Sequence, residues 1–89
     1  MPSLTAVQFE KQLSEFVQRL AGPRMRVTKT SGLFEEGILD SMKILDLIAF
    51  IESTLGIKVP DDKVVLQNFK SIHAITETFW KEKPEHGKK

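Results

Sequence analysis

Asp40 and Ser41 are the two residues whose types and order could do chemistry. They stand together in Gly37-Ile38-Leu39-Asp40-Ser41-Met42, just ahead of an apolar-periodic stretch that reads as a helix. A hydroxyl at a helix start lies where unsatisfied backbone N–H groups and the helix dipole favour a phosphate. A carboxylate there can cap the helix by accepting one of those N–H groups. On its own the pair is no more than a cap, because such residues stand at many helix starts. Ser41 has no His or Lys base beside it, so its hydroxyl is not activated for nucleophilic catalysis. Reactions at this hydroxyl must be performed by another protein.

The rest of the chain offers no competing centre. It has no cysteine, hence no disulfide framework and no thiolate metal site. Any thioester chemistry would need a sulfur brought in on a prosthetic group. His73 and His86 are isolated, and two such histidines do not make a metal site. No phosphate-binding glycine loop, catalytic constellation or zinc spacing is present, so neither a bound metal nor an enzyme is expected. Trp80 reads as packing.

The elements that must position Ser41 follow from periodicity and punctuation. Leu4 to Leu20 reads as an amphipathic helix capped by Ser3 or Thr5, with Phe9, Leu13, Phe16, Val17 and Leu20 on one stripe. Gly22-Pro23 stops it. A connection then runs from Ala21 to about Leu39. Unstructured loops beyond roughly 12–15 residues are uncommon in small domains, so this one should be anchored through Leu33, Phe34, Ile38 and Leu39. Gly37 is expected to permit a tight approach to the next helix.

The second helix is predicted from Asp40 or Ser41 to about Leu55, stopped by Gly56, with Ile57 to Pro60 extended. Asp61 or Asp62 should cap a brief third helix through Val64, Val65 and Leu66. Ser71 should cap a fourth, with Ile72, Ile75 and Phe79 on one face. The domain is read as residues 1–80, and the charged segment 81–89 as a disordered tail. At about 100° per residue, Ile44, Ile48, Ile51 and Leu55, with Leu47 beside them, form the core stripe of the second helix. Met42, Leu45 and Ala49 fall on the other side among Asp46, Glu52 and Ser53. An exposed apolar strip with polar neighbours marks a partner contact, and methionine adapts to varied surfaces. The plainer alternative is that Met42 and Leu45 pack under the long loop.

The run Leu33-Phe34-Glu35-Glu36-Gly37-Ile38-Leu39-Asp40-Ser41-Met42 resembles the loop and Asp-Ser-Leu attachment motif of acyl carrier and peptidyl carrier proteins. Glu52 and Leu55, then Val59-Pro60-Asp61, then Asn68-Phe69-Lys70-Ser71-Ile72 extend the resemblance, which covers roughly Leu33 to Phe79. It implies an all-α, small four-helix bundle of acyl-carrier type, with three main helices, one short helix and a long loop between the first two. It also implies that a phosphopantetheinyl transferase, using Mg²⁺, attaches 4'-phosphopantetheine from coenzyme A to Ser41. Asp40 would cap the helix or help position the metal during that modification. Cargo loaded by an acyl or aminoacyl ligase or transferase would then ride as a thioester to downstream enzymes. Met42, Leu45, Asp46, Ala49 and Glu52 would face these partners.

Many carriers of bacterial fatty acid synthesis are strongly acidic along the second helix. Here Lys43 follows Met42, and 13 Lys and Arg against 12 Asp and Glu leave a formal charge of +1. That departure favours recognition through apolar residues and a dedicated pathway: polyketide, nonribosomal peptide, specialised fatty acid or aminoacyl transfer. The Glu-Glu-Gly-Ile-Leu-Asp-Ser run also resembles D-alanyl carrier proteins. The competing reading is a small helical protein- or nucleic-acid-binding domain using Arg24, Arg26, Lys29 and the basic tail. These cations are dispersed and the net charge is near zero, which disfavours nucleic acid. The beginning of the chain lacks a signal-peptide pattern, and no stretch is long enough to span a membrane. A cytoplasmic monomer is therefore expected.

Overall fold

A computed structural model describes residues 4–82. Three helices form the domain: α1 (Ala6–Ala21), α2 (Lys43–Leu55) and α3 (Ile72–Phe79). Single 3-10 turns occupy Asp61–Lys63, Leu66–Phe69 and Trp80–Glu82. The architecture is thus all-α, with a long connection between the first two helices. Residues 83–89, most of the predicted tail, lie outside the described residues, as do Ser3 and His86.

Each helix start has an identifiable cause. Thr5 and Gln8 form a reciprocal capping box: Thr5 Oγ1 accepts the Gln8 N–H (3.1 Å), and Gln8 Oε1 accepts the Thr5 N–H (2.9 Å). Ser71 caps α3 by accepting the Ala74 N–H at 3.0 Å. The helix α2 departs from expectation by starting at Lys43, because Ser41 and Met42 belong to a turn that precedes it. Gly56, at φ 68°, ends α2 in the left-handed region that a side chain would disfavour.

The core is built from one stripe per helix: Phe9, Leu13 and Val17 of α1; Leu47, Ile51 and Leu55 of α2; and Ile72, Ile75 and Phe79 of α3. The α2 stripe is narrower than its periodicity suggested, since Ile44 and Ile48 are only half-buried. Likewise Phe16 stays at the edge of the core, where it stacks on Phe50 with ring centroids 4.5 Å apart. Trp80 packs as expected, stacked 5.8 Å from Phe9. The brief third helix is replaced by two 3-10 turns separated at Val64 and Val65. Val65 is extended (φ −129°, ψ 152°), a conformation that suits a β-branched residue better than a helix does. Asn68 Nδ2 ties the two turns by donating to the Lys63 carbonyl at 2.8 Å.

The α1–α2 connection is anchored at both ends. Gln18, on α1, donates through Nε2 to the carbonyls of Gly22 (3.1 Å) and Met25 (2.6 Å), and its Oε1 accepts the Val27 N–H (3.2 Å). Further along, the Leu33 N–H donates to the Lys70 carbonyl (2.9 Å), and the His73 N–H to the Lys29 carbonyl (2.9 Å). The Leu33 carbonyl accepts both Ile38 N–H (2.8 Å) and Leu39 N–H (3.0 Å). With Leu33, Ile38 and Leu39 buried, the chain reaches Asp40 from a fixed point on the core.

Candidate functional site

The site begins where that anchored chain turns into α2. Leu39 is buried and Asp40 is exposed, so the backbone leaves the core at this step. Gly37, at φ 77°, makes the reversal possible. A β-carbon placed on it would meet nothing within 4 Å. The expected tight approach at Gly37 is therefore absent, and the glycine is required by its backbone angle.

Asp40 closes the first turn. Its Oδ1 accepts the backbone N–H of Met42 (3.0 Å) and of Lys43 (2.8 Å), while its carbonyl accepts the Ile44 N–H (3.0 Å). The N–H of Lys43 is the main cause that holds the Asp40 carboxyl below its ordinary value of 3.8. The N–H of Met42 and the Lys43 positive charge add to it, and desolvation opposes it. The amides of Met42 and Lys43 are thus occupied by Asp40 and, contrary to the expectation of unsatisfied N–H groups at this helix start, are not free for a phosphate. What remains to favour a phosphate is the dipole of α2.

Ser41 lies in the turn between this cap and the helix, and its side chain is exposed. Lys43 points its charge elsewhere. It is half-buried, and its Nζ donates to the carbonyl of Leu20 near the C-terminal end of α1 (3.5 Å), where the helix dipole favours a cation. The lysine that departs from the acidic pattern therefore ties α2 to α1.

The other candidate residues divide into two groups. Met42 and Leu45 are exposed by 72% and 60%, and Asp46 and Ala49 are also exposed, so these four share the solvent side of α2 and of the turn that leads into it. The reading in which Met42 and Leu45 pack under the loop is excluded by that exposure. Glu52 differs. It is half-buried, and its Oε2 accepts the Val59 N–H at 2.8 Å, bracing the segment after α2. Val65 and Leu66, exposed by 46% and 63%, are further apolar surface that sequence reasoning had assigned to a helix. Of the basic residues in the competing reading, Arg24 and Arg26 are exposed, and Lys29 pairs with Glu10 at 3.3 Å. Among the described residues no three His, Cys, Asp or Glu side chains gather to hold a metal, and no helix is long and apolar enough to cross a membrane.

The described residues thus form a small all-α domain that presents an exposed serine in the turn before its second helix, behind an aspartate cap. The sequence pattern of the family described as "Phosphopantetheine attachment site" matches residues 11–79, and the chain belongs to that family. Its prosthetic group is accordingly 4'-phosphopantetheine, installed on carrier proteins by phosphopantetheinyl transferases. No curated protein matches the sequence.

Proposed function

We propose that Ser41 is the attachment point of the arm and that the chain carries an acyl or aminoacyl group in a dedicated cytoplasmic pathway. Polyketide, nonribosomal peptide, specialised fatty acid and aminoacyl transfer, D-alanyl transfer included, are the pathways in view. The observation that carries the attachment point is the exposure of Ser41 in the turn that precedes α2. The residues fit the group: a hydroxyl open to solvent stands at the dipole's positive end, and nothing in the turn covers it.

In the modification, Ser41 Oγ forms a new bond to phosphorus and the pyrophosphate bond of coenzyme A breaks. Adenosine 3',5'-bisphosphate leaves, and the hydroxyl proton passes to a base on the transferase, since this chain supplies none. Asp40 keeps the turn in place through Oδ1. Its Oδ2 takes no part in those bonds and can approach the transferase's Mg²⁺. When bound, the arm supplies a terminal thiol that holds cargo as a thioester.

Met42, Leu45, Asp46 and Ala49 form the surface offered to the transferase, the loading ligase or transferase and the downstream enzymes. Their exposure on one side of α2 supports this reading. Glu52 contributes indirectly, by bracing the chain after α2. The domain acts as a monomer between these encounters. Incubation with coenzyme A, Mg²⁺ and a broad-specificity phosphopantetheinyl transferase tests the attachment point through the intact mass.

A further inference from the structure

A groove of about 390 Å³ opens between the α1–α2 connection and the start of α3. Phe34 and Leu66 supply apolar walls, and Thr30, Lys70, Ser71 and His73 supply polar ones. Its volume falls within the roughly 300–1,000 Å³ range of small-molecule sites. Leu66 is 63% exposed, so this wall stands open to solvent.

We infer that this groove is the resting place of the phosphopantetheine arm, an inference that rests on Ser41 being its attachment point. Reach is the first argument. Leu33 is bonded through its N–H to Lys70, on the groove, and through its carbonyl to Leu39, two residues before Ser41. With successive α-carbons ~3.8 Å apart and the hydrogen-bonded crossing from Leu33 to Leu39 adding about 5.5 Å, Phe34 then lies within roughly 17 Å of Ser41. The arm, from phosphorus to sulfur, has a backbone comparable to roughly four extended residues, or about 15 Å.

Chemistry is the second argument. The arm alternates a gem-dimethyl group and methylene pairs with a hydroxyl and two amides. Phe34 and Leu66 match the apolar parts. The Thr30 hydroxyl and the Lys70 ammonium can donate to amide carbonyls. A weak resting site suits a carrier, because the arm must leave it to reach each partner enzyme. Neither Met42 nor Leu45 lines the groove, so both stay free for docking.

The test uses isotope-labelled protein before and after loading with coenzyme A, Mg²⁺ and a transferase. Intact mass reports loading, and isotope-filtered nuclear Overhauser spectra report where the arm lies. Contacts from the gem-dimethyl protons to the Phe34 ring and Leu66 methyls are expected, with the largest amide shifts at the groove. Leu66→Ser, an exposed change, should load fully and lose those contacts. Complete loading with arm contacts and shifts confined to Asp40 through Leu45 overturns the groove and leaves the carrier reading standing. A wild-type chain that is never loaded overturns both.

Discussion

Asp40 Oδ1 accepts the backbone N–H of Lys43 at 2.8 Å, the shorter of two bonds by which one carboxylate oxygen secures the start of α2. The residue beside the Ser41 hydroxyl is therefore a structural part of the turn that displays it. A fixed turn matters for a carrier because a transferase must find one hydroxyl in one geometry. Because the carboxyl is held below its ordinary value, its contribution to folding is present above pH 3.8 and is lost as pH falls through the lowered value. Urea unfolding followed between pH 5 and pH 2 should show wild type losing stability in that acid window. Asp40→Asn should flatten the dependence, since an amide oxygen can still cap but no charge titrates. Asp40→Ala should lower the melting temperature at neutral pH as well.

Gly37→Ala should destabilise the domain by about 1–2 kcal/mol, the cost of forcing a side chain into left-handed backbone. The open space around Gly37 excludes a clash as the cause. Thermal melting measures the loss, and amide shifts should place the disturbance at residues 37–42.

Leu45 and Leu47 are two residues apart on α2 yet face opposite surroundings, 60% exposed against fully buried. Leu47→Ala should cost about 2–5 kcal/mol by leaving a cavity. Leu45→Glu and Met42→Glu should change stability by no more than about 0.5 kcal/mol while lowering turnover by partner enzymes. Chemical denaturation and partner kinetics, measured on the same variants, separate the two roles.

Gln18→Ala removes three hydrogen bonds between α1 and the chain that follows it. Net worth of about 0.5–1.5 kcal/mol each makes a loss of about 1.5–4.5 kcal/mol the expected outcome. Hydrogen exchange should accelerate at Val27, whose N–H then lacks its acceptor.

Much of this architecture is legible in the residues themselves. Thr5 and Gln8 stand at capping-box spacing, Ser71 precedes an apolar period of three and four, and Gly22 and Gly56 mark helix ends. The exposed strip at Met42, Leu45 and Ala49 follows from helical rotation alone. What was not legible depends on contacts across the chain. Gln18 is one polar residue on a helix, and nothing around it signals that its amide grips three backbone groups. Lys43 reads as a surface charge until α1 supplies the Leu20 carbonyl. Glu52 falls beside the exposed strip by rotation, but Val59 folds back to claim its carboxylate. Asp40 caps α2 across an intervening turn, so the helix starts at Lys43, two or three residues later than periodicity and the cap residue suggest.

The central claim is that the Ser41 hydroxyl takes the phosphopantetheine arm, and the most direct measurement is intact mass after incubation with coenzyme A, Mg²⁺ and a phosphopantetheinyl transferase. Wild type should gain one arm and Ser41→Ala none, with both proteins sharing one melting temperature because the side chain is exposed. A Ser41→Ala protein that still gains the arm, or a folded wild type that never does, would contradict the account.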